Sequence, residues 1–174
     1  MQRISSVVAA VVSLFVLAAP ALLAARTLPQ EVSFEEFSAF MEKAFGAAVE
    51  EVNRPLGGYG AVVLGIDIAW IEDPMAGRTG AELLNESFGD YPDACEKGSM
   101  VLSAAVRQPL DGVTLLRQSC GCVIPGQGDQ YAEAVIVEDG SRFQAFHISG
   151  GEEQRDATRR IADTIVAALL AAYR

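Results

Sequence analysis

The sequence predicts an α+β domain, an antiparallel β-meander of about five strands covered by N- and C-terminal amphipathic helices. Three observations predict it. Apolar residues recur at helical spacing near the start of the chain, from Phe37, and again at its end, to Ala172. Between these stripes lie apolar, β-branched runs separated by turn dipeptides. No period of about 20–50 residues repeats, which excludes a solenoid or a propeller.

The first helix carries its own start signals. Ser33 can cap it while Glu36 reaches back to the cap amide, and Val32 with Phe37 forms the matching hydrophobic staple. Phe37, Phe40, Met41, Ala44, Phe45, Ala48, Val49 and Val52 make one apolar stripe, which Asn53 and Pro55 end. Gly57 to Gly60 is a loop, and Ala61 to Ile71 (AVVLGIDIAWI) reads as one buried strand closed by Asp73-Pro74. Thr79 and Glu82 repeat the capping-box spacing, so a short helix runs from Gly80 to Phe88. Tyr91 to Gly98 carries no regular pattern.

The meander follows. Its strands are Ser99–Gln108, Val113–Ile124, Tyr131–Glu138 and Ser141–Ile148, with turns at Asp111-Gly112, at Pro125 to Asp129 and at Asp139-Gly140. The last helix runs from about Glu152 to Tyr173 along the stripe Ala157, Ile161, Ile165, Ala168, Leu169 and Ala172.

The chain has 174 residues, a net charge of −10 and 51% hydrophobic residues. Such an acidic chain repels phosphate, so no nucleic-acid partner is expected. Residues 1–25, MQRISSVVAAVVSLFVLAAPALLAA, join a basic Arg3, an uncharged apolar core and a small-residue end after Pro20. That order predicts a secretory signal peptide, cut after Ala21 or Ala25, and residues 26–174 then form one exported domain, periplasmic or extracellular. The rival is an uncleaved membrane anchor, since about 20 apolar residues can span a bilayer. After cleavage no membrane attachment is expected.

Three cysteines and one histidine are the residues with chemistry to offer. In an oxidising compartment thiols pair, so one disulfide and one spare thiol is expected. Cys120 and Cys122 stand two apart on a predicted strand, where a bond between them is strained. Cys95 is therefore the better partner. Counting back from Asp111-Gly112 sets Ser103 against Cys120 and Val101 against Cys122, which leans the pairing to Cys95–Cys122 with Cys120 as its alternative. Cys120 is then the candidate reactive thiol, and a redox role would use Cys120 and Cys122 with Cys95 as the third sulfur.

His147 is the candidate imidazole, as a base for a cysteine nucleophile or as a zinc ligand beside the thiols. The Asp139-Gly140 hairpin sets it against Ala132, on the sheet face of Ala134, Ile136 and Phe143, where a histidine is more often structural. Asp67, inside an apolar strand, would be a general acid if buried. Gly-x-Ser-x-Gly is absent, and Gly57-Gly58-Tyr59-Gly60 precedes a strand rather than a helix, so neither a serine hydrolase nor a phosphate loop fits. No cofactor and no metal are expected. The resulting expectation is a non-enzymatic exported domain, stapled by one disulfide, that binds a small molecule or a protein between sheet and helices. The alternative is an exported thiol-redox protein.

Overall fold

The computed structural model describes residues 32–52, 58–110 and 112–172. The expected signal peptide, the breaks at Asn53 and Pro55, and Asp111 and Tyr173 lie outside the described residues. The fold class is the expected one. Helices α1 (Phe34–Phe45), α2 (Gly80–Ser87), α3 (Tyr91–Ala94) and α4 (Arg155–Ala172) pack on a fully antiparallel sheet. That sheet has eight strands rather than about five: β1 (Val49–Glu51), β2 (Tyr59–Val63), β3 (Ile66–Pro74), β4 (Val101–Leu102), β5 (Val106–Leu110), β6 (Val113–Ile124), β7 (Gly128–Glu138) and β8 (Arg142–Gly151).

Each extra strand has a local cause. The run 61–71 is two strands, because Leu64 (φ 56°) and Gly65 (φ 76°) turn the chain in the left-handed region and pair Val63 with Ile66. Both central residues at positive φ is the tight hairpin turn whose twist matches its strands. Helix α1 stops at Phe45, since Gly46 adopts φ 64° and donates its N–H to the Glu42 carbonyl. That frees Val49–Glu51 to pair with β2. The strand expected over 99–108 breaks at 103–105, so Leu102, not Ser103, opposes Cys120 while Val106 still opposes Arg117.

The sheet order is β1-β2-β3-β8-β7-β6, ending on an edge shared by β4 and β5. Strand β8 joins β3 on one side and β7 on the other. The β7–β8 turn is wider than the two residues expected, because the Asp139 carboxylate accepts the N–H groups of Ser141 and Arg142, both at 2.8 Å. Glu138 therefore pairs with Phe143, and His147 opposes Ala134 rather than Ala132. A slip of two residues keeps every side chain on its expected face.

Helices cover both faces. On the first, α1 and α4 pack over Val63, Ile66, Ile68, Trp70, Val135, Val137, Phe146 and Ile148. Phe37 of α1 stacks on Trp70 with ring centroids 4.2 Å apart, and the Trp70 indole N–H donates to the Val32 carbonyl at 3.0 Å. The capping boxes at Ser33/Glu36 and Thr79/Glu82 both form. On the second face, Leu83 and Leu84 of α2 and Phe88 at its C-terminal cap lie over Leu116, Ala134, Ile136 and Phe143. Among the described residues no helix is long and apolar enough to cross a membrane.

Candidate functional site

A disulfide joins Cys95, just after α3, to Cys122 on β6, with Cα atoms 5.9 Å apart. It clamps the α2–α3 side of the molecule to the sheet. Cys120 is the free thiol and is fully buried under that clamp, where its Sγ–H donates to the Gly121 carbonyl. Burial pushes its pKa up. A thiolate is the attacking species, so both burial and the raised pKa oppose exchange chemistry at Cys120.

His147 is half-buried on the same face as Cys120, and Tyr91 of α3 lies over both. The Tyr91 hydroxyl and His147 Nε2 share a hydrogen bond at 3.3 Å, and the imidazole meets Phe88 edge-on with centroids 5.9 Å apart. Burial, reinforced by the nearby Cys120 sulfur and opposed by a hydrogen bond with Ser149, pushes the Tyr91 phenol to about 12. Cys120 opposes Ala132, which opposes Ser149, so His147 sits two strands across and two residues further along. At about 4.8 Å per strand the backbones are some 10 Å apart even before that offset. The register therefore does not build a nucleophile–base pair from Cys120 and His147. Asp67 is exposed on β3 rather than buried in an apolar strand, so the expected buried acid is not formed. No cluster of three or more His, Cys, Asp or Glu side chains fit to hold a metal occurs among the described residues.

The structure assembles a polar cluster that sequence reasoning missed. Glu133 of β7 is buried under α4, accepts from Arg117 Nε at 2.9 Å, and accepts a short hydrogen bond from the Tyr131 hydroxyl. Arg159 Nε donates to the Tyr131 oxygen at 3.0 Å, and Arg117 also reaches Asp163. Burial opposes the charge on Arg117, but its bonds to Glu133 and Asp163 outweigh that and hold it charged. The signal was present in the alternation Tyr131, Glu133, Val135, Val137, which puts one acid on the inward face of a strand.

Beside this cluster the sheet outruns its helix. An open groove of about 440 Å³ lies between the β6–β7 end and the start of α4, lined by Ser99, Val101, Gly121, Gln130, Glu152 and Arg155 among others. The Arg155 guanidinium sits 4.5 Å from the Tyr131 ring centroid and pairs with Glu152 at 2.6 Å through Nε. Gly121 forms the floor, where a Cβ would come no closer than 3.7 Å to Arg155. A smaller recess of about 150 Å³ on the other face is lined by Ala69, Ile71, Ser87, Ala145 and His147.

No family model matches the sequence, and no curated protein matches it. The class of molecule is set by the fold, an antiparallel sheet between helices. It is similar to the solution structure of cyanobacterial PsbP (CyanoP) from Synechocystis sp. PCC 6803, with a TM-score of 0.50 and 15% sequence identity. The likeness covers 71% of this chain and 81% of that one, and it establishes the fold alone.

Proposed function

We propose that the chain is an exported, non-enzymatic binding domain that holds a small polar molecule in the groove between the sheet and α4. The observation that carries this is the groove itself. At about 440 Å³ it falls in the range of small-molecule sites, and it brings Arg155, Glu152 and Gln130 to one wall. A ligand bearing both charges, such as an amino acid, can bind by exchanging into the Arg155–Glu152 pair, its carboxylate replacing that of Glu152 on the guanidinium and its ammonium meeting the freed Glu152. The groups that could do chemistry lie elsewhere. Cys120 is shut away and His147 is held by Tyr91 under α3, so the thiol-redox reading lacks its attacking sulfur. The Cys95–Cys122 bond fits an oxidising compartment, which supports export.

The test is chemical-shift mapping of the ¹⁵N-labelled protein against a panel of amino acids, small carboxylates and phosphates. Binders should perturb Gly121, Gln130 and Arg155 and should be lost in Gly121→Leu, which fills the groove floor. Binding that maps elsewhere, or survives Gly121→Leu, overturns the assignment of the site. A panel with no binder overturns the small-molecule reading.

A further inference from the structure

The guanidinium on the groove wall already holds a carboxylate from its own chain, and holds it imperfectly. Glu152 opens a short 3-10 turn, Glu152–Gln154, and Arg155 follows as the first residue of α4. Glu152 Oε2 accepts from Arg155 Nη2 at 2.7 Å, and Oε1 stands 2.6 Å from Nε. The second contact is charge against charge only. Arg155 Nε is shut from solvent yet makes no hydrogen bond, so its N–H points past the oxygen beside it. A carboxylate tethered three residues away reaches the charge of the guanidinium but not the direction of its fork.

The guanidinium itself is held in place. One face lies over the buried Tyr131 ring, whose hydroxyl is bound by Glu133 and Arg159. Nη2 is the atom that a Cβ at Gly121 would come nearest, at 3.7 Å, so it faces the groove floor. The charged residues that line the groove are Asp129, Glu152 and Arg155, two acids to one base.

We infer that Glu152 is the selectivity gate of the groove, a built-in competitor that holds the carboxylate seat on Arg155 and yields it only to ligands that also carry an ammonium group. This rests on the groove being the binding site and adds what that site refuses. A carboxylate free of the backbone can align with Nε and Nη2 together, which Glu152 does not, so the exchange gains a directed hydrogen bond. A simple carboxylate nevertheless leaves the displaced Glu152 and Asp129 facing a third negative charge inside one groove. An ammonium on the ligand meets those acids and removes the repulsion. Even at the dielectric of bulk water one charge about 4 Å away is worth about fivefold in affinity, and more in a sheltered groove. The gate therefore selects amino acids over the carboxylic acids that match them in shape.

The experiment is a chemical-shift titration of the ¹⁵N-labelled wild type and of Glu152→Gln at neutral pH and fixed ionic strength. The probes are matched pairs: glycine and acetate, leucine and 4-methylpentanoate, phenylalanine and 3-phenylpropionate. The wild type should bind the amino acid of a pair at least about fivefold tighter than its plain carboxylate, with shifts at Gly121 and Gln130. In Glu152→Gln the plain carboxylate should bind at least about fivefold tighter than it does to the wild type, and the preference within the pair should shrink. Glu153→Gln removes the same charge from an exposed neighbour and should change neither. If it matches Glu152→Gln, the general field and not the gate discriminates, and the inference falls. A wild type that takes both members of a pair alike overturns it, as does groove binding whose preference is unchanged in Glu152→Gln; either result leaves the groove itself standing. Plain carboxylates that bind only to Glu152→Gln support the gate. No binding by either protein overturns the groove and its gate together, and circular dichroism of each variant confirms the fold.

Discussion

Replacing Cys95 and Cys122 together with alanine isolates what the disulfide contributes. The two residues are 27 apart in sequence, so the bond closes a loop of about 28 residues that holds β4, β5 and most of β6. In the chain-entropy treatment such a loop lowers the entropy of the unfolded chain by about 12 cal/mol/K, or about 3.6 kcal/mol at 25 °C. Both sulfurs are buried, so truncation leaves small cavities that push the cost slightly higher, by up to about 1 kcal/mol. For a domain of about 140 residues the unfolding entropy near the midpoint is about 0.3 kcal/mol/K, so Tm should fall by about 12 °C. The assay is urea unfolding of the oxidised protein and the double alanine variant, followed by Trp70 fluorescence. The m-value should rise as the unfolded chain expands. A loss below about 1 kcal/mol would refute the reasoning, because the unfolded chain would then already be confined without the bond.

Two further outcomes follow from single side chains. The phenol of Tyr91 is held near 12 against an ordinary value of 10, so the fold favours its neutral form. That stability is complete below pH 10 and is lost as pH rises through 12, to a total of about 2–3 kcal/mol. Urea midpoints measured between pH 9 and 11.5 should fall more steeply for the wild type than for Tyr91→Phe; parallel curves would show that the phenol is not the cause. Leu64 is exposed and holds φ 56°, a conformation that costs a branched-chain residue about 1 kcal/mol and suits asparagine. Leu64→Asn should stabilise by up to about 1 kcal/mol in thermal unfolding, and a loss of stability would mean that the Leu64 side chain makes contacts outweighing the strain.

What the sequence disclosed was what short-range chemistry decides. Ser33 with Glu36, and Thr79 with Glu82, place helix starts because both partners of each cap lie within one turn. The same-face argument for His147 survived a wrong register because strand parity tolerates an even slip. The hairpin within 61–71 was hidden, since an unbroken apolar run reads alike as one strand or two and Leu64 is a poor herald of positive φ. The break at 103–105 was hidden too, because Ala104 and Ala105 carry no turn chemistry and a single serine, Ser103, does not mark a turn by itself. Of the candidate site, Tyr91 over His147 was illegible because it depends on where α3 docks, and 91–98 shows no pattern. The groove depends on the sheet extending past the end of its helix, which no local window contains.

The last of the described strands to leave the ribosome is the one at the middle of the sheet. Strand β8 lies between β3 and β7, and its pairing of Ile148 with Ile68 spans 80 residues. Until Arg142–Gly151 arrives, the hairpin of β2 and β3 and the meander from β5 to β7 are separate ribbons, each with an open inner edge. Closing so long a loop is the slow, entropy-limited event in folding such a topology. The order of the strands thus holds the chain in two unjoined halves while it is being made.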